Sequence, residues 1–79
     1  MISAYVMINT QKLNEQDIIN KIKSENNIKE VYQVSGVYNF VIRVEESDIE
    51  ALKRTIIDKI KKETSIQSTM TLIVNDKNG

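Results

Sequence analysis

At 79 residues the chain is one small domain, of a size that buries only about 60% of its unfolded surface and is marginally stable alone. A 41% hydrophobic and 28% charged composition fits a folded domain, while the lack of His and Cys removes the commonest general base, the usual zinc ligands and the thiol nucleophile. Eleven acidic and eleven basic residues leave no net charge, unlike the basic excess of most nucleic-acid binders.

No apolar run approaches the ~18 residues of a membrane span, and the opening MISAYVMINT lacks a basic n-region and a cleavage signature. A cytoplasmic protein without membrane contact, metal or cofactor is expected. Nothing resembling a linker interrupts the chain, which reads as a single domain over residues 1–79.

Residues 2–9 alternate, with Ile2, Ala4, Val6 and Ile8 on one side and Ser3, Tyr5, Met7 and Asn9 on the other, which predicts a strand. Ile18, Ile19 and Ile22 then recur at helical spacing. Asn14 is the expected N-cap, Asp17 and Lys21 form an i,i+4 pair, and Asn26-Asn27 closes the helix. A second strand is predicted over 28–34, with Ile28, Tyr32 and Val34 on one face and Val31 on the other, followed by a Ser35-Gly36 turn. Tyr38, Phe40, Ile42 and Val44 alternate in a third strand.

Ser47-Asp48-Ile49-Glu50 reads as a capping box with Ser47 as the cap. Behind it Ile49, Leu52, Ile56 and Ile60 form the apolar stripe of a second helix, with Glu50/Arg54 and Asp58/Lys62 outside it. Thr64-Ser65 breaks the pattern. Met70, Leu72 and Val74 alternate with Thr69, Thr71 and Ile73 in a last strand, before a flexible polar tail over 75–79. The order βαββαβ with right-handed crossovers predicts an α+β, ferredoxin-like fold: a four-stranded antiparallel sheet with two helices on one face.

Such a fold leaves one sheet face open, yet apolar residues stand on both sides of the strands. Isolated apolar surface residues are ordinary, but a continuous set needs a partner. The expected arrangement is a homodimer packed through the open faces, with Tyr5, Met7, Val31, Val41 and Ile73 in the interface.

Three readings compete for residues 31–44. The RNA-recognition motif has the same element order, and Gly36–Val41 and Ala4–Asn9 faintly resemble its two signature strands. No Lys or Arg stands directly before Gly36, however, and Tyr38 and Phe40 fall on the core side. "VSGV" superficially resembles the glycine loop of acylphosphatases, but it lies between strands 2 and 3 rather than after strand 1, and Arg43 and Arg54 are the only arginines. Glu45/Glu46 at a strand end are a solvated pair before they are an acid and a base. An enzyme is not expected.

The third reading is a family. VYQVSGVYNFVIRV, the capped helix and IQSTMTLIV together resemble the effector-binding domain of the Lrp/AsnC (feast/famine) transcriptional regulators, whose pattern is V-x-x-V-[TS]-G-x-Y-D before an apolar strand and a Thr-rich approach to the last strand. Val31, Val34, Ser35, Gly36 and Tyr38 stand in the first pattern, and Ser68, Thr69 and Thr71 in the second. The resemblance spans nearly all the chain.

It implies dimers joined through their sheets, assembled into octamer or decamer rings, with an amino-acid effector at dimer–dimer contacts. It also implies an effector set of Ser35, Gly36, Tyr38, Asn39, Ser68, Thr69 and Thr71. A glycine at positive φ lets backbone N–H groups approach a carboxylate, and the hydroxyls add donors. Because the chain opens directly in strand 1, a stand-alone effector domain is expected, which binds no DNA directly and acts through protein contacts, including full-length Lrp/AsnC regulators.

The family's Asp after the Tyr is Asn39 here. An amide offers an α-ammonium only a neutral hydrogen bond, roughly half as strong as a charged one. Weak amino-acid binding, a different small ligand, and a turn that builds only a structural oligomer therefore all stay open.

Overall fold

The computed structural model describes residues 1–10, 15–63 and 66–74. Four strands, β1 (Ile2–Thr10), β2 (Ile28–Gln33), β3 (Phe40–Glu46) and β4 (Ile66–Val74), alternate with helices α1 (Glu15–Lys23) and α2 (Ile49–Thr55), and α2 runs on into a π-helical segment, Ile56–Lys61. The sheet order is β2-β3-β1-β4 with every neighbour antiparallel, the expected ferredoxin-like topology. Asn14, Thr64-Ser65 and the tail lie outside the described residues.

The alternation of β1 and β3 explains the core. Ala4, Val6 and Ile8 of β1 and Phe40, Ile42 and Val44 of β3 all point toward the helices. There they meet Ile18, Ile19 and Ile22 from α1, Leu52 from α2, and Ile56 and Ile60 from the π-helical segment. Each fully buried Leu, Ile or Val contributes about 1.5–3 kcal/mol over its exposed state.

Three local expectations change. Asp48, not Ser47, caps α2: its backbone is extended (φ −149°, ψ 173°) and its Oδ1 accepts from the Ala51 N–H at 2.9 Å. Both residues are good caps, and the one whose side chain reaches the third helical N–H takes the role. Asp48→Ala is therefore expected to lower stability by about 1 kcal/mol, and Ser47→Ala by less than about 0.5 kcal/mol, in urea unfolding. Lys21 reaches not Asp17 but Glu63, at 2.9 Å, linking α1 to the chain beyond the π-helical segment. Glu45 and Glu46 are half-buried structural acceptors: Glu45 pairs with Arg43, and the Glu46 carboxylate accepts from Asn27 and Thr55.

The remaining corrections concern which way strands face. In β2 the register shifts between Ile28, opposite Val44, and Glu30, opposite Arg43. A bulge of this kind adds one residue and reverses the side-chain alternation beyond it. Val31, opposite Ile42, therefore packs against the core, whereas Tyr32, opposite Val41, is exposed on the open face. In β4, Ile73 is opposite Ala4 and faces the helix side, which removes it, like Val31, from the expected open-face set. Met70, Leu72 and Val74 take the open face instead.

Candidate functional site

Two surfaces follow from this geometry. The first is the open sheet face. One row crosses all four strands as Tyr32, Val41, Met7 and Met70, and the next as Glu30, Arg43, Tyr5 and Leu72. The partners of β4 are the informative ones. Its helix-facing positions, opposite Val6 and Ile8, are Thr71 and Thr69, while Met70, Leu72 and Val74 turn outward. Leu72 is 52% exposed and Met70 45%. A strand with its more apolar side toward solvent is inverted relative to an isolated domain, and an exposed apolar patch of this kind marks an interaction surface.

Arg43 stands in the middle of this face. Its Nε donates to Glu30 at 3.0 Å and its Nη1 to Glu45. Hydrogen bonds to Glu45 and then to Glu30 hold the guanidinium protonated even more firmly than usual. Glu30 also acts on Tyr32: the adjacent negative charge, and the hydrogen bond the phenol makes to it, raise the Tyr32 pKa. Two carboxylates to one guanidinium give the patch a polar centre within an apolar surround.

The second surface is the glycine loop, which is longer than a two-residue turn. β2 ends at Gln33 and β3 begins at Phe40, so Tyr38 is half-buried in the loop rather than in the strand. Asn39 closes the loop with three hydrogen bonds of 2.8 Å. Its carbonyl accepts from Val34 N–H, its own N–H donates to the Ile8 carbonyl, and its Oδ1 accepts from Thr10 N–H. The side-chain oxygen expected to meet a ligand is thus engaged with the end of β1.

Gly36 has φ +136°, in the region that favours glycine, and an added Cβ would meet nothing within 4 Å. The requirement is one of backbone conformation rather than space. Gly36→Ala is expected to cost about 1–3 kcal/mol through strain alone, measured by thermal and urea unfolding.

The C-terminal end of β1 brings part of the expected effector set together. Asn39 bonds to Ile8 and Thr10 on one side of β1, and Thr69 and Ser68 pair with Ile8 and Asn9 on the other. Ser35 and Gly36 are exposed on the loop. Ser68 shares the open face with Asn9, while Thr69 lies on the helix side. Thr71 stands apart, opposite Val6, where it helps line a shallow apolar cavity of about 320 Å³ with Leu52, Ile56, Ile57 and Ile73. Tyr32, Met70, Leu72 and Val74 are the open-face residues that sequence reasoning missed. The signal for the last three was their apolar alternation, which reads equally well as a core-facing side.

Comparison with known proteins fits this geometry. The model of the Lrp/AsnC ligand binding domain matches residues 3–77. The chain belongs to that family. The Lrp/AsnC domain here is 41% identical over 54 residues to the regulatory protein AsnC of Escherichia coli K12, a match covering 68% of this chain and 36% of AsnC. It thus spans about a third of that relative's length. Among solved structures it is similar to FFRP-DM1, with a TM-score of 0.90 and 31% identity over 95% of this chain and all of that one. It is also similar to E. coli AsnC, with a TM-score of 0.85 and 31% identity over 92% of this chain and 50% of that one. AsnC is a regulatory protein, and membership of the Lrp/AsnC ligand-binding domain family accounts for the fold.

Proposed function

We propose that this chain is a non-enzymatic, effector-sensing oligomerisation module. It pairs with a second copy through the open sheet faces, and dimers assemble further, into octamer or decamer rings in the family's manner. A small molecule of the amino-acid class binds where the glycine loop and the start of β4 meet a neighbouring subunit. The assembly modulates transcriptional regulators, including full-length Lrp/AsnC proteins, through protein contacts and without touching DNA itself. Residues 1–79 act as one domain, in the cytoplasm.

The observation that carries the assembly is the outward-facing apolar side of β4, continuous with Tyr5, Met7 and Val41. The loop, pinned to β1 yet presenting Ser35 and Gly36 to solvent, supports the effector site. A site shared by subunits lets a ligand shift assembly by its different affinity for the two states.

A second reading, a structural oligomer without a ligand, is favoured by one fact: the fold alone accounts for Gly36 and for all three Asn39 bonds. Calorimetric titration with the twenty amino acids and their matched 2-oxo acids separates the two. Heat from at least one, with a change in assembly mass, is expected. No heat and no change would leave the structural oligomer.

A further inference from the structure

We infer that Asn39 makes the glycine loop a hydrogen-bond-donor site, so that the α-group a carboxylic ligand places at Asn39 is a carbonyl oxygen and not an ammonium. This rests on the proposed effector site and specifies its chemistry.

The reasoning begins with the orientation of one amide. Thr10 N–H is a donor only, so the atom it meets at 2.8 Å must be the Asn39 oxygen. That contact fixes the side chain the one way round. The Nδ2 amino group lies on the opposite branch of the amide, where it donates to no acceptor among the described residues, and Asn39 as a whole is half-buried. The side chain therefore has its acceptor used and two N–H donors to offer.

The rest of the loop has the same bias. Val34 N–H and Asn39 N–H are paired, whereas the N–H groups of Ser35, Gly36, Val37 and Tyr38 meet no backbone acceptor among the described residues. Ser35 adds a hydroxyl, and Gly36 at φ +136° leaves the backbone open to close approach. The segment VSGVYN contains no carboxylate to receive a cation. Unpaired donors on a segment without an anionic acceptor suit a ligand's carboxylate at the backbone N–H groups and a carbonyl oxygen at Nδ2. An ammonium placed at Nδ2 would face donor against donor, and its desolvation would go uncompensated.

Selectivity between an amino acid and its 2-oxo acid tests this, because the two differ only in carrying an α-ammonium or a carbonyl oxygen. The probes are the matched pairs of amino acid and 2-oxo acid, titrated calorimetrically into the full chain and into Asn39→Asp. Aspartate keeps an oxygen for Thr10 N–H and presents a second oxygen where Nδ2 stood, so the fold is retained; equal melting temperatures check this. The native chain is expected to bind a 2-oxo acid at least about tenfold more tightly than its amino acid, and Asn39→Asp to reverse that order, as one charge-assisted bond gained or lost allows.

A native preference for the amino acid, or a preference that Asn39→Asp does not move, overturns this inference while leaving effector sensing intact. Binding of neither set by either protein overturns the effector reading and this inference with it.

Discussion

Leu72→Glu is expected to leave the domain folded and to weaken its self-association by at least about 100-fold. Leu72 is 52% exposed in the single chain, so the substitution removes little from the monomer's own core. Across a two-fold interface the same carboxylate would be buried without a partner, at a cost of several kcal/mol, and 1.4 kcal/mol is already a factor of ten. Sedimentation velocity at micromolar concentration reads the effect. The same change at Asn20, exposed on α1, is expected to leave association as it was. If Leu72→Glu sediments like the native protein, the open face is not the interface.

The second large effect is expected at Arg43. On a solvated face its bonds to Glu30 and Glu45 add little to stability. Once a second copy covers the face, however, they are what makes two carboxylates tolerable there. Arg43→Ala should therefore barely move the unfolding midpoint of dilute protein, yet reduce association by at least about 100-fold, because each copy then brings two unpaired negative charges to the interface. Removing all three charges, with Glu30→Gln, Arg43→Met and Glu45→Gln, is expected to restore association to at least the native level, since an apolar replacement of a buried ion cluster is often neutral or favourable. Sedimentation equilibrium on the two variants reads both outcomes. Native-like association of Arg43→Ala would show that the cluster stays in solvent.

The pattern of what the sequence disclosed follows from the range of each interaction. The element order and the faces of β1 and β3 are legible because strict alternation leaves one assignment: Val6 and Ile42 can only sit together under the helices. The face of β2 is not, because the extra residue between Ile28 and Glu30 is set by pairing with β3 and has no mark in the sequence. In β4 the sequence misleads. The rule that apolar residues face inward assigns Leu72 and Met70 to the core, whereas pairing with β1 sends them out and turns Thr69 and Thr71 inward. An inward-apolar rule assumes a monomer, and the proposed pairing of open faces removes that assumption.

The glycine loop divides in the same way. Gly36 is legible as a bend from residue type alone, and φ +136° bears that out. The role of Asn39 was hidden, because its side chain bonds to Thr10, 29 residues earlier in the chain. Read as a sequence, Asn39 is an aspartate that has lost its charge. In the fold it is an amide whose oxygen is held by β1 and whose nitrogen meets no acceptor among the described residues. Two of its three bonds, to Ile8 and Thr10, join the loop to β1, the strand that also carries Tyr5 and Met7 on the open face, so loop and sheet face share one rigid element.

Sedimentation velocity of the native chain, over a range of micromolar concentrations and with each matched pair of amino acid and 2-oxo acid, tests the account most directly. Dimers or multiples of dimers at every concentration, shifting in size with at least one ligand, are the predicted result. A monomer throughout, indifferent to both ligand sets, would contradict it.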